Sequence, residues 1–276
     1  MKLNIVRSFS VVSIAASLLL LSINASAAPS ADAQEFWTKY DQDSTVEVSH
    51  DAWQELLDTY LDADHDSGVN RFDYGAVSKK DRASLDDYLD SLQALDPRSL
   101  NKDEQLAYWI NFYNALTVQV VLEEYPVESI RKIRFLTSPF GPWDKNLVKV
   151  QGEKLSLNDI EHGILRPIWQ DPRIHFAVNC ASIGCPNLDE EVFTAANADE
   201  LMEAAASSFI NHARGVEVKG TELVLSSIFD WYGGDFGSNE QEIVAYLAKF
   251  YEGDSAELEG ITTVSYQYDW NLNKAD

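Results

Sequence analysis

Apolar positions along this chain recur with two periods, and each period predicts a different kind of element. Trp53, Leu56, Leu57, Tyr60 and Leu61 fall at helical spacing, and the Asp- and Gly-containing turn over 62–68 ends that helix. A short strand is expected over 69–74 and a second helix from about Asp81 to Leu95. Asn101 followed three residues later by Glu104 has the form of a capping box, and the apolar-rich segment behind it runs to Tyr125-Pro126. This predicts the longest helix, apolar around most of its circumference and therefore buried on most sides, with Gln105, Phe112, Gln119 and Glu123 as its wetter edge.

Further along, two extended arms around Gln151-Gly152 and two more around Lys219-Gly220 give hairpin signals. Ser156 with Asp159 caps a helix that ends before Pro167 and carries His162. Residues 174–179 read as a strand, with His175, Ala177 and Asn179 on one face and Phe176, Val178 and Cys180 on the other. Asn197 with Glu200, and Ser238 with Gln241, open helices that reach about Arg214 and Tyr251. Val264, Tyr266, Tyr268 and Trp270 alternate with polar residues, so the chain is expected to end in a half-buried strand. Hairpins with segregated helices indicate an α+β fold: a long buried central helix and flanking helices packed on a mainly antiparallel sheet.

The N-terminus changes this picture. Lys2 and Arg7 precede an apolar run from Phe9 to Ile23 that ends in Ala25-Ser26-Ala27, the order of a secretory signal peptide. Residues 1–27 are therefore expected to be removed, residues 28–50 to form a polar lead with a short helix near 35–40, and residues 51–276 to form a single domain. The expected location is periplasmic or secreted, with no membrane span in the mature chain. The formal charge of −24 disfavours nucleic acid or an anionic membrane surface as partner. A peptide or small-molecule ligand remains open.

Candidate chemistry concentrates between residues 111 and 235. Asn111 and Asn114 are amides in a helix expected to be buried, so each needs a partner, either a neighbouring loop or a histidine in a cleft. Both cysteines, Cys180 and Cys185, fall in one loop, and export favours a disulfide between them. Three alternatives stay open. Cys180 with His162 would make a thiolate nucleophile for acyl transfer, His162, His175, Cys180 and Cys185 would make a tetrahedral zinc set, and the bridge could be exchange-active. Strand alternation places His175 badly for activating Cys180. Asp230 or Asp235, in the aromatic cluster over 229–237, could orient His162 or act as acid or base. The Asp-rich turn at 62–68 departs from the EF-hand pattern, because glycine falls at loop position seven and Asp73 occupies position twelve.

Four ordered blocks carry a resemblance: Tyr108-Trp-Ile-Asn-Phe-Tyr-Asn-Ala115, Leu157-Asn-Asp-Ile-Glu-His-Gly-Ile-Leu-Arg166, Asp171-Pro-Arg-Ile-His-Phe-Ala-Val-Asn-Cys180 with Cys185-Pro186, and Phe229-Asp-Trp-Tyr-Gly-Gly-Asp-Phe-Gly237. Across roughly residues 57–251 the chain resembles the domain-of-unknown-function 547 family, in the layout of its secreted bacterial members. The resemblance implies motif positions at Trp109, Asn111, Asn114, His162, His175, Cys180, Pro186, Trp231, Asp235 and Gly237, and it brings no established reaction, substrate or cofactor. The candidate catalytic set is His162, His175, Cys180, Asn111, Asn114 and Asp235, with no cofactor or metal. The leading reading is a thiol-dependent hydrolase or acyl transferase. Its alternative is a non-catalytic binding protein with a structural disulfide.

Overall fold

The computed structural model describes residues 31, 34–135 and 141–275. The expected signal peptide and cleavage site lie outside them. The described elements run α1 (Asp51–Tyr60), β1 (Leu61–Asp62), β2 (Arg71–Phe72), α2 (Lys79–Ala94), α3 (Lys102–Glu124), β3 (Val148–Val150), β4 (Glu153–Leu155), a π-helix (Asp159–Leu165) continuing into α4 (Arg166–Trp169), α5 (Ile174–Ala177), α6 (Ala198–Ile210), β5 (Val216–Lys219), β6 (Glu222–Ser226), α7 (Ile228–Trp231), α8 (Gly233–Phe236), α9 (Glu240–Leu247), α10 (Ser255–Glu259) and β7 (Thr263–Gln267). The fold is α+β, and three small sheets pair antiparallel except for β7, which runs parallel to β6.

Helix α3 is the axis of the larger core. Its run from Glu104 to Thr117 is buried without interruption, as a helix apolar on all sides requires. Its closest partners are helices: α2, the π-helix and α6. The expected wetter edge is dry at its N-terminal half, where Gln105 and Phe112 are both buried. The covering comes from the segment expected to be a polar lead. Trp37 is fully buried edge-on against Trp109, Gln105 Nε2 donates to Lys39 O, Asn101 Nδ2 donates to Ser44 O, and Val48 N–H donates to Glu104 Oε1. Glu104 thus grips this strap and does not close the expected capping box, although Asn101 does cap α3 through Asp103 N and Glu104 N.

The strap is also tied to the π-helix. Pro167 has no N–H to give the carbonyl of Gly163, and Gln34 N–H fills that place at 3.0 Å. Gly163 allows the approach, because a Cβ there would lie 2.6 Å from Gln34 Nε2. Ser156 and Asp159 cap the π-helix reciprocally, as expected.

A second core gathers Phe176, Phe209, Leu225, Phe229, Phe236 and Leu247 from α5 to α9 and β6. Helix α5 joins the two cores, since Ile174 and Ala177 pack into the first and Phe176 into the second. This element corrects the strand expected at 174–179. Asp171 accepts the Arg173 N–H at 2.9 Å, and His175 and Phe176 donate back to Pro172 and Arg173, so the Asp-Pro start nucleates one helical turn. The cap at α9 is Asn239, one residue after the expected Ser238. No helix among the described residues is long and apolar enough to cross a membrane.

If the strap belongs to the core, Trp37→Ala costs about 3–5 kcal/mol. Urea unfolding checks this, and a loss below ~1 kcal/mol would show that the segment adds little to the core.

Candidate functional site

The two asparagines of α3 fix everything near the candidate site. Asn114 Nδ2 donates to Ala177 O at 2.9 Å, and its Oδ1 accepts the Asn179 N–H at 2.8 Å. Asn111 clamps Phe193 in the same two-sided way, at 2.7 and 3.1 Å. Both amides are buried, and at both ends their partners are backbone groups of loops. The structure therefore places Asn111 and Asn114 as clamps and brings neither side chain onto a histidine.

The histidines do come together. His175, on α5, has a side chain only 2% exposed, and its Nε2 lies 2.7 Å from Asp235 Oδ2. A carboxylate only accepts, so Nε2 carries a proton, and in the neutral ring Nδ1 is left with a lone pair. That Nδ1 lies 3.8 Å from Glu161 Oε1. His162, in the π-helix, has its Nδ1 3.7 Å from the same Glu161 oxygen and 3.0 Å from Arg166 Nη1. Because arginine only donates, His162 Nδ1 is the acceptor, and a neutral His162 holds its proton on Nε2. Arg166 Nε also donates to Asp235 Oδ2 at 2.7 Å. The Tyr232 ring stacks on His175 at 4.3 Å between centroids, and the Arg166 guanidinium lies over it at 4.8 Å.

The charges follow from these contacts. Burial alone would raise the Asp235 carboxyl, but hydrogen bonds from His175 and Arg166 outweigh it and hold the group well below the usual carboxylate range. Burial pushes the His162 imidazole below its ordinary value, against the opposing pull of Glu161. Glu161 has a side chain 7% exposed, and the two imidazole nitrogens that face its Oε1 stand at 3.7 and 3.8 Å, beyond hydrogen-bond reach. Asp235, expected to orient His162, instead holds His175 and reaches His162 only through Arg166. Sequence reasoning did not select Glu161, Arg166 and Tyr232. Glu161 and Arg166 sit one and four residues from His162, which places them on neighbouring turns, and Tyr232 sits three residues before Asp235.

The cysteines form a separate group. Both are free thiols, so the expected disulfide is not formed here, yet their sulfurs lie 3.0 Å apart. Cys180 Sγ has its other partners in Ser182 Oγ at 3.3 Å and Tyr268 OH at 3.1 Å, and no imidazole hydrogen-bonds to it. The thiol–histidine pair is thus not assembled. Neither is the zinc set, since no group of three or more His, Cys, Asp or Glu among the described residues is arranged to hold a metal ion. Asp62 and Asp64 of the 62–68 turn instead line, with Gln54, Asp58, Glu190 and Glu191, a pocket of about 350 Å³ in which no such group forms either.

The described residues thus form an α+β protein with a buried His-Asp-Arg-His group at the junction of its two cores. The chain resembles, over residues 97–210, the family described as "Protein of unknown function, DUF547". That match includes the asparagines, both histidines and both cysteines; the block that supplies Asp235 lies beyond it. No curated protein and no solved structure matches the chain.

Two variants test this construction. Asn114→Ala orphans a buried carbonyl and a buried N–H, at a cost of about 2–4 kcal/mol in urea unfolding, whereas an exposed-amide substitution costs well under ~1 kcal/mol. Asp235→Asn loses about 2 kcal/mol at neutral pH. Because the folded carboxyl titrates below its unfolded value, the wild-type advantage is fully present above about pH 4 and shrinks as pH falls towards the folded value. Unfolding midpoints of both proteins across that range measure it, and a gap that widens on acidification would contradict the assignment.

Proposed function

We propose that the chain is an acid–base hydrolase whose general base is His175, and that its thiols take no part in acyl transfer. The observation that carries this reading is the 2.7 Å contact from His175 Nε2 to Asp235, which leaves the Nδ1 lone pair turned toward Glu161 in a nearly closed site. Asp235 fixes the tautomer and compensates the imidazolium, a role that carboxylates serve for catalytic histidines generally. In the proposed step, water adds to an acyl carbonyl while His175 Nδ1 takes its proton and returns it to the leaving group. His162, kept neutral by burial, supplies an Nε2–H donor for the developing oxyanion. Glu161 and the formal charge of −24 favour neutral or cationic substrates over anions. Export is part of the proposal, supported by the basic, apolar and small-residue order of residues 1–27.

The test is hydrolysis of p-nitrophenyl acetate and of a panel of aminoacyl anilides by the full chain. His175→Gln is expected to lower kcat/KM by about 10²–10⁴, the usual worth of a positioned base, and Asp235→Asn to shift the pH profile as well as the rate. Equal rates in wild type and His175→Gln would sink the proposal. Absence of turnover across the panel would return the protein to the class of binding modules, and loss of rate in Cys180→Ser would return the thiol to the mechanism.

A further inference from the structure

The loop from Val178 to Pro186 is built more firmly than a solvent loop needs. Asn179 closes its base, accepting from Ala181 N–H at 2.8 Å and donating to Pro186 O at 2.7 Å. The C-terminal tail fastens its outer side, with Ile183 N–H on Asn271 O and Gly184 N–H on Asp269 O, both at 2.8 Å. Gly184 permits that contact, since a Cβ there would sit 2.7 Å from the Asp269 nitrogen. Ala181 is held at φ 58°, a left-handed conformation that side chains other than glycine rarely adopt and that tends to occur at functional sites.

What this frame holds in register is the sulfur pair. The Cys180 N–H donates to Cys185 Sγ at 3.0 Å, the same separation as between the sulfurs, so a bond needs a closure of only about 1 Å. The two thiols are unlike. Cys180 is partly exposed and meets the hydroxyls of Ser182 and Tyr268, whereas Cys185 is buried. Contact with Cys185 draws the Cys180 thiol down, and burial pushes the Cys185 thiol up. Arg214 lies close enough to Cys185 for their charges to interact, and its buried Nε–H has no hydrogen-bond partner among the described residues.

We infer that Cys180 and Cys185 form a thiol–disulfide exchange site for external disulfides, with Cys180 as the attacking sulfur and Cys185 as the resolving one. The Cys180 thiolate attacks one sulfur of an external disulfide RS–SR. The Cys180–SR bond forms, the S–S bond breaks, and RS⁻ leaves with the electron pair. Cys185 then gives its proton to solvent and attacks Cys180 Sγ, forming the internal disulfide and expelling the second RS⁻. The external disulfide gains two electrons and the protein loses two; a dithiol reverses the sequence. These atoms are not those of the hydrolytic reading, so either can fail alone.

The probe is the aromatic disulfide 5,5′-dithiobis-(2-nitrobenzoate), added to folded, pre-reduced full chain with no acyl substrate present. The wild type is expected to release two equivalents of thionitrobenzoate and to end two hydrogens lighter with no adduct. Cys185→Ser is expected to release one and keep an adduct at Cys180. Tyr268→Phe, which removes a donor to the attacking sulfur, is expected to react about threefold more slowly near neutral pH, the loss of thiolate being partly offset by higher nucleophilicity. Adducts retained on both wild-type sulfurs, reaction only after unfolding in urea, or an oxidised bridge that dithiothreitol leaves intact in the folded protein would each overturn the inference. The wild-type arm stands even where a variant does not fold.

Discussion

One side chain holds the chemistry of this protein in place: Asn114, whose amide completes a backbone-like pair with Ala177 O and Asn179 N. Helix α5 is a single turn, too short to persist by its own hydrogen bonds. Pinned to α3, it sets the position of His175 two residues before the clamp and of Cys180 one residue after it. Asn111, one helical turn away, holds Phe193, so the stretch between α5 and α6 is anchored to α3 at both ends. The amides cost nothing while paired, and removing either partner leaves buried polar groups with no water to replace it.

The second constraint is electrostatic and joins the two cores. Asp235 comes from α8, Arg166 and His162 from the other side of the junction, and His175 from the turn that packs into both. A single carboxylate oxygen receives both His175 and Arg166. The Tyr232 ring lies flat against His175 beneath this contact. The second core that carries Asp235 is rich in aromatic rings, with Phe236 beside it packed on Phe176, Phe229 and Tyr246.

Much of this was legible in the sequence. The periodicity of α1, α2 and α3, both hairpins and the cap at Ser156 are local signals, and the structure follows them. The failures share a cause. Residues 34–50 look dispensable because their contacts with α3 and the π-helix run through backbone N–H and carbonyl groups, the Gln34 side chain and one tryptophan, which composition does not weigh. Residues 174–179 look like a strand because their apolar content is short-range, while the decision for a helical turn lies with Asp171 and Pro172 just upstream. At the site, His162, His175 and Asp235 were found by residue type. Their pairing was not, because which histidine meets which carboxylate depends on the packing of α8 against the π-helix, and no spacing encodes it. Arg166 was the missing term, placed one helical turn beyond His162 and binding both His162 and Asp235.

The charged side chains of this buried group give the acid–base reading its physical sense. Among the described residues Glu161 and Asp235 are its acidic members and Arg166 its basic one, and burial keeps His162 neutral. In the proposed reaction a proton taken up at His175 lies between the Asp235 contact on Nε2 and the Glu161 carboxylate facing Nδ1, inside a site nearly closed to solvent, where an unpaired charge is most costly. Asp235 is then bonded to two cations on one oxygen, and Glu161 faces the new N–H of His175 and the ring of His162. The formal charge of −24 works in the same direction in the proposed reaction, since it favours the approach of neutral and cationic species over anions. The proton of that reaction is received at the one nitrogen that the Asp235 contact leaves free, with a carboxylate already facing it.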